Sequence, residues 1–213
     1  PETLDSYQIS EITKDIFAVA DVIGAEEFHL IGHDWGSVVG WSAVLSNPSR
    51  ITSWTALSLP HPAAFSAALA DDPDQQDRSS YVDFFQTPWL PETVFSFNNF
   101  SLLKTLLGGM SDEKMKEYIS VFSEPGAMTS ALNWYRALGD DLGFNSDDAN
   151  LLEVNTPTLF MWGNRDASVG RVAIDGMNEF MKGPYTNIEL DADHWLFVAQ
   201  PERVIKEILI HID

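Results

Sequence analysis

The stretch from residue 28 to residue 48 constrains the fold of this chain more than any other. A short apolar run, Phe28 to Ile31, enters the turn Gly32-His33-Asp34-Trp35-Gly36, and the chain leaves it as SVVGWSAVLSNP, a helix of small residues stopped by Asn47-Pro48. Residues 51–59 (ITSWTALSL) read as a buried strand, and 157–163 (PTLFMWG) and 186–190 (TNIEL) as two more. Helical patterns lie near 171–182 and 201–211. A further helix spans 6–24, where Ile9, Ile12, Ile16, Val19 and Ile23 recur at threes and fours and Gly24 sits at the C-cap position. Strands alternating with helices predict an α/β fold, a parallel sheet covered on both faces.

Residues 61–150 differ in character. They carry clusters of Pro, Asp and aromatic residues (DDPDQQD, then YVDFFQTPWLPE) and helical pieces such as SDEKMKEYISVF, with no strand pattern. In that last piece Asp112 and Glu113 suit the first turn of a helix electrostatically. The block reads as a helical insertion over the carboxyl ends of the strands, where open parallel sheets bind ligands. The expected organisation is therefore a core formed by 1–60 and 151–213 around a helical cap at 61–150.

Composition narrows the function classes. The 32 acidic and 12 basic residues leave a net charge of −20, which repels phosphate backbones and anionic lipid, so neither nucleic acid nor membrane is expected as a partner. Apolar runs fall short of the ~20 residues of a membrane-spanning helix. Without cysteine there is no thiol nucleophile, disulfide or thiolate-bound metal, and neither metal nor cofactor is expected. The chain opens on Pro1 with no signal-peptide pattern, and a cytoplasmic location is expected.

Three short segments carry the candidate chemistry. Gly32-His33-Asp34-Trp35-Gly36 has the strand–turn–helix context of a nucleophile elbow with aspartate at the nucleophile position. An aspartate there stays ionised and can attack carbon; the alternative is that Asp34 simply caps the helix. Asp166 follows the strand ending at Gly163, where an orienting acid would stand and where turn aspartates are also ordinary. His194 follows the strand ending at Leu190. Singly it is no better a candidate than His29, His33, His61 or His211, which are read as structural or surface residues. Their order raises all three: nucleophile, acid and histidine, each after its own strand, is the chain order of one catalytic triad.

These residues resemble the α/β-hydrolase superfamily, in particular its aspartate-nucleophile branch of epoxide hydrolases and haloalkane dehalogenases. The resemblance runs over nearly the whole chain and includes Ser58-Leu59-Pro60-His61-Pro62. It implies an α/β-hydrolase fold with a helical cap, catalysis by Asp34, His194 and Asp166, and Trp35 as oxyanion-hole donor or halide ligand. The elbow is common to both enzyme types, so the insertion decides between them. Ser80-Tyr81-Val82-Asp83-Phe84-Phe85-Gln86 and Ala131-Leu132-Asn133-Trp134-Tyr135-Arg136 resemble the two segments in which epoxide hydrolases carry the tyrosines that grip the epoxide oxygen. Tyr81 and Tyr135 fall at those positions; the plainer reading is aromatic packing within the cap. Phe84, Phe85, Trp89 and Trp134 then suggest an apolar substrate pocket.

The resemblance thus implies an epoxide hydrolase acting on a small apolar epoxide through an ester on Asp34. The alternatives are a haloalkane dehalogenase using the same triad, or a non-catalytic fragment that binds apolar ligands. One departure stands out. The family's second oxyanion donor comes from an HGxP-like segment that this sequence lacks, and Pro1-Glu2-Thr3 resembles the stretch just after the family's opening strands. Without those strands, Phe28–Ile31 is expected to form an apolar parallel edge, covered by a second copy or a complementing N-terminal chain.

Overall fold

A computed structural model describes residues 3–106, 111–138 and 152–213; Pro1 and Glu2 of the opening segment, with 107–110 and 139–151 of the insertion, lie outside the described residues. The described residues divide into two compact units, one of 9–79 and 152–213 and the other of 3–8, 80–106 and 111–138.

The first unit is the α/β one. It runs α1 (Ile9–Val22), β1 (Phe28–His33), α2 (Trp35–Ser46), β2 (Ile51–Leu57), α3 (Pro62–Asp71) and α4 (Pro73–Ser79). After the helical unit it continues with β3 (Thr158–Gly163), α9 (Arg171–Gly176), β4 (Tyr185–Leu190), α10 (Leu196–Ala199) and α11 (Pro201–Ile212). The strands form one parallel sheet in the order β1-β2-β3-β4. Alternate side chains of a strand face opposite sides of the sheet, and the two faces are filled differently. Trp54, Ala56, Phe160 and Trp162 point to one side, where Trp41 and Val44 of α2, Ala64 and Ala68 of α3 and Ala173 and Ile174 of α9 close over them. Leu57, Leu159 and Met161 point to the other, against Leu196 of α10 and Val204 of α11.

β3 is buried at every position, as a strand covered on both faces should be, whereas β1 is half-buried and forms one edge of the described sheet with Ile31 47% exposed. Trp54 and Trp41 are fully buried and meet edge to face at 5.5 Å. Burying some 200 Å² of each ring contributes on the order of 5 kcal/mol, before conformational entropy is set against it.

The second unit is helical: a 3-10 turn at Leu4–Tyr7 with α5 (Tyr81–Gln86), α6 (Leu90–Leu106), α7 (Asp112–Phe122) and α8 (Ala127–Arg136). Its core gathers Phe95, Leu103, Met128 and Leu132, with Phe84 and Phe85 packed against them. Ser111 caps α7 by accepting from the Lys114 N–H at 3.3 Å, although Lys114 offers no reciprocal capping-box acceptor.

The division corrects the boundaries expected from the sequence in two places. The break falls at 79/80 and not at 60/61, because the small residues of α3 pack into the α/β core and Gln75 of α4 bonds to the loop after β3. Residues 3–8, expected in the core, join the helical unit, where Tyr7 is buried.

Candidate active site

The carboxyl ends of the four strands lie side by side, and three carry the candidate triad. Asp34 follows the last residue of β1, Asp166 lies three residues beyond β3, and His194 lies four beyond β4. Parallel register brings these ends together, so residues up to 160 positions apart in sequence converge.

The elbow owes its shape to one glycine and one strained aspartate. A Cβ on Gly32 would stand 2.3 Å from the carbonyl oxygen of Gly36, so only glycine lets the strand end and helix start pass this closely. Asp34 takes φ 53°, ψ −120°, a left-handed conformation that costs a non-glycine residue about 1–3 kcal/mol. It stands at the N-cap of α2, yet its side chain makes no capping hydrogen bond; its backbone carbonyl accepts from Ser37 and Val38 instead. The carboxylate turns to His194, with Oδ1 3.1 Å from Nε2, and also receives the N–H of Trp35. The Asp34 side chain is therefore not a hydrogen-bonding cap of α2.

On its other side His194 places Nδ1 2.8 Å from Oδ2 of Asp166, which is 1% exposed. Oδ1 of Asp166 accepts from the N–H groups of Ser168 at 2.8 Å and Val169 at 3.2 Å. The β4 loop also approaches the end of β3 closely: a Cβ on Gly163 would lie 2.3 Å from the Asp193 carbonyl.

Electrostatics make the three residues one system. Burial alone works against a charged imidazole at 194, but hydrogen bonds to Asp166 and Asp34, with their charges, outweigh it and raise its pKa to about 9. For Asp34 burial pushes the other way, and the His194 bond and charge and the Trp35 N–H hold the carboxyl below the usual range. At neutral pH His194 is therefore an imidazolium, held by the ionised Asp34 on one side and hydrogen-bonded to Asp166 on the other.

Two neighbours were not legible as site residues. His33, read from sequence as structural or surface, is half-buried with Nε2 2.9 Å from the His194 carbonyl oxygen, and its ring lies 4.7 Å from that of His194. Burial lowers its pKa, so the neutral ring donates that bond. Ser58, buried with φ 69°, donates from Oγ to the same carbonyl at 2.9 Å. The other histidines serve structure. His61 is fully buried and stacked on Phe180 at 4.5 Å, while His211 bonds the Trp54 carbonyl and His29 bonds Ser53.

The tyrosines belong to the helical unit. The rings of Tyr81 and Tyr135 stand 6.1 Å apart at 78°, both against Phe85, which joins Phe84 and Phe95 in one aromatic cluster. Gln86 donates to the Tyr135 carbonyl at 3.0 Å, and Arg136 ties α8 to Glu92 at 2.6 Å and to the Thr87 carbonyl. Trp134 is half-buried, whereas Trp89 is 81% exposed. Among the described residues no three His, Cys, Asp or Glu side chains are grouped to hold a metal ion, and no helix is long and apolar enough to cross a membrane.

Parallel strands carrying an elbow aspartate, an acid and a histidine at their carboxyl ends define a class, and the chain belongs to it: residues 1–201 match the family described as alpha/beta hydrolase fold. Among curated proteins it is 33% identical over 215 residues to human epoxide hydrolase 4, covering 95% of this chain and 58% of that protein. It is 28% identical to epoxide hydrolase A of Mycobacterium tuberculosis, covering 98% and 76%. Among solved structures it resembles the epoxide hydrolase of Bacillus megaterium in complex with an inhibitor, with a TM-score of 0.87 at 26% identity, covering 100% of this chain and 78% of that one. The chain thus spans under two thirds of the length of the animal relatives it matches.

Proposed function

We propose that this chain carries the hydrolytic centre of an epoxide hydrolase acting on a small apolar epoxide. One observation carries the reading: the elbow residue is an aspartate that hydrogen-bonds, at 3.1 Å, the histidine of an acid–histidine pair. A carboxylate nucleophile needs no base to activate it, so the histidine serves a later step. Relatives that bear the epoxide hydrolase name support the choice of substrate class.

In the first step a carboxylate oxygen of Asp34 attacks an epoxide carbon, that carbon's bond to the ring oxygen breaks, and an ester forms. The alkoxide is a poor leaving group, and Tyr81 and Tyr135 are assigned to hydrogen-bond it and deliver its proton. Ester formation consumes the Asp34 charge that helped hold His194 protonated, so the imidazolium releases its proton more readily, and that proton restores the tyrosine that gave its own to the alkoxide. His194, oriented by Asp166, then takes a proton from water as that water attacks the ester carbonyl. The Trp35 N–H stabilises the oxyanion, the ester bond breaks as the attacking water's second proton passes to the departing oxygen, and the diol leaves with Asp34 again ionised and His194 again protonated. A haloalkane dehalogenase would use Asp34 and Trp35 and leave the tyrosines idle.

Intact-mass spectrometry tests the scheme. His194→Gln incubated with styrene oxide is expected to gain the mass of the epoxide on Asp34 and keep it, while Asp34→Ala gains nothing. Halide release from 1-chlorobutane without any diol from styrene oxide would transfer the assignment to the dehalogenase. An unmodified His194→Gln protein would overturn both readings.

A further inference from the structure

The triad acid is held from a helix that carries no triad member. The Asp166 carboxylate spends Oδ1 on the Ser168 and Val169 N–H groups and leaves Oδ2 for His194, so its aim depends on the conformation of the 166–170 turn. That turn is bonded to α4. Gln75, fully buried, accepts at Oε1 from the Gly170 N–H at 2.7 Å and donates from Nε2 to the Ser168 carbonyl at 2.9 Å. The same amide nitrogen reaches Ser79 Oγ at 2.9 Å. One turn along α4, Arg78, paired with Asp74 at 2.7 Å, donates from Nη1 to the carbonyl of Asp166 itself.

Positions 75 and 78 share a helix face, so two side chains of one short helix engage three backbone groups of the turn. The chemistry suits these residue types. A backbone N–H can only donate, which fixes the Gln75 oxygen toward Gly170 and its nitrogen toward Ser168. An apolar side chain of the same size would leave both backbone groups without that partner.

We propose that Gln75 and Arg78 are positioning residues for the triad acid: through the 166–170 turn they aim the Asp166 carboxylate at His194. The proposal rests on the triad reading of Asp34, His194 and Asp166, but not on the identity of the substrate. His194 reports on it directly, because its hydrogen bond to Asp166 is the largest influence raising its pKa. His33, Asp34 and Asp166 are titratable groups that face that imidazole.

The experiment is an NMR titration of the His194 ring in histidine-labelled protein, with no substrate present. Wild type is expected to titrate at about 9. Gln75→Met is expected to lower this by about one pH unit or more, and Arg78→Ala by roughly half a unit, as the acid's hold on the ring loosens. Arg78 is partly exposed, so its variant keeps the proposal testable should Gln75→Met not fold. Gln76→Met is the control: this neighbour bonds the Leu69 and Ala70 carbonyls of α3 and should leave the value unchanged. A wild-type pKa near 9 that the folded Gln75 and Arg78 variants keep overturns the proposal, as does an equal drop in Gln76→Met. The triad reading beneath it is tested apart from the titration: a His194→Gln protein that gains no mass with styrene oxide overturns that reading and not the positioning role.

Discussion

Replacing Asp34, the proposed nucleophile, by asparagine keeps its shape and removes its charge, which is the electrostatic change that esterification would bring. The wild-type His194 pKa of about 9 stands about 2.5 pH units above the ordinary 6.5, or about 3.4 kcal/mol at 1.36 kcal/mol per unit. Two carboxylates share that stabilisation unequally. Asp166 has a fully buried side chain and lies at 2.8 Å; the Asp34 side chain is 36% exposed and lies at 3.1 Å. The rise is net of burial, which alone would lower the value, so the two carboxylates together contribute more than about 2.5 pH units. Solvent screening discounts the exposed partner, leaving Asp34 the smaller share, on the order of one unit. Asp34→Asn should therefore bring His194 to about 8, raising the neutral fraction at pH 7 from about one per cent to about ten per cent. The assay is the NMR titration of the His194 ring, with intact mass confirming that the amide has not reverted to acid. A value still near 9 would mean that Asp34 does not hold the imidazolium, and the proposed release of the base would fail. A fall to 6.5 or below would mean that Asp34, and not the buried Asp166, contributes the larger share, and the unequal division argued from exposure would fail.

Two predictions concern stability. Burial lowers the His61 pKa to about 4, with Leu152 backbone opposing weakly, so the unfolded chain takes up this proton first as pH falls. Stability should thus be lost between pH 6.5 and 4, by about 2–3 kcal/mol at pH 4.5. His61→Phe, which keeps the stack on Phe180 but loses the bond from the Ala63 N–H, should show a correspondingly smaller loss between pH 7 and 4.5 in urea denaturation; equal losses would refute the assignment. At the elbow, Gly32→Ala should cost about 3 kcal/mol or more by forcing apart two backbones, measured as a lower urea midpoint. Gly36→Ala, whose Cβ would meet nothing within 4 Å, should be neutral or stabilising, and equal costs would show that the close approach is not what selects glycine at 32.

Legibility followed the range of the interactions. The strand from Phe28 passes into the α2 helix through a turn whose glycine and aspartate are local requirements, so sequence located it to within two residues. Asp166 and His194 were recoverable because each comes after its own strand and the order of the three residues carries information that no single one does. Ser58, His33, Gln75 and Arg78 left no comparable trace. A serine after a strand, a histidine beside an aspartate and a glutamine in an acidic stretch are ordinary in sequence, and their roles exist only where a distant backbone group ends at hydrogen-bond distance. The boundary at 79/80 was hidden for the same reason: the helical pattern of 62–79 looks like that of the residues after it, and only packing on α9 assigns it to the core.

By itself, then, the sequence determined that strands alternate with helices, that an aspartate stands on a sharp strand–helix turn, and that an acid and a histidine come after later strands in order. These features arise from periodicity, turn chemistry and chain order, all written within a few residues of where they act. Tertiary structure alone decided that Asp34 turns to His194 and not to its own helix. It also decided that His194 is charged at neutral pH, and that α4 belongs to the core and bonds the acid's turn. Such facts depend on burial and on distances of about 3 Å between groups remote in the chain, which local pattern cannot encode.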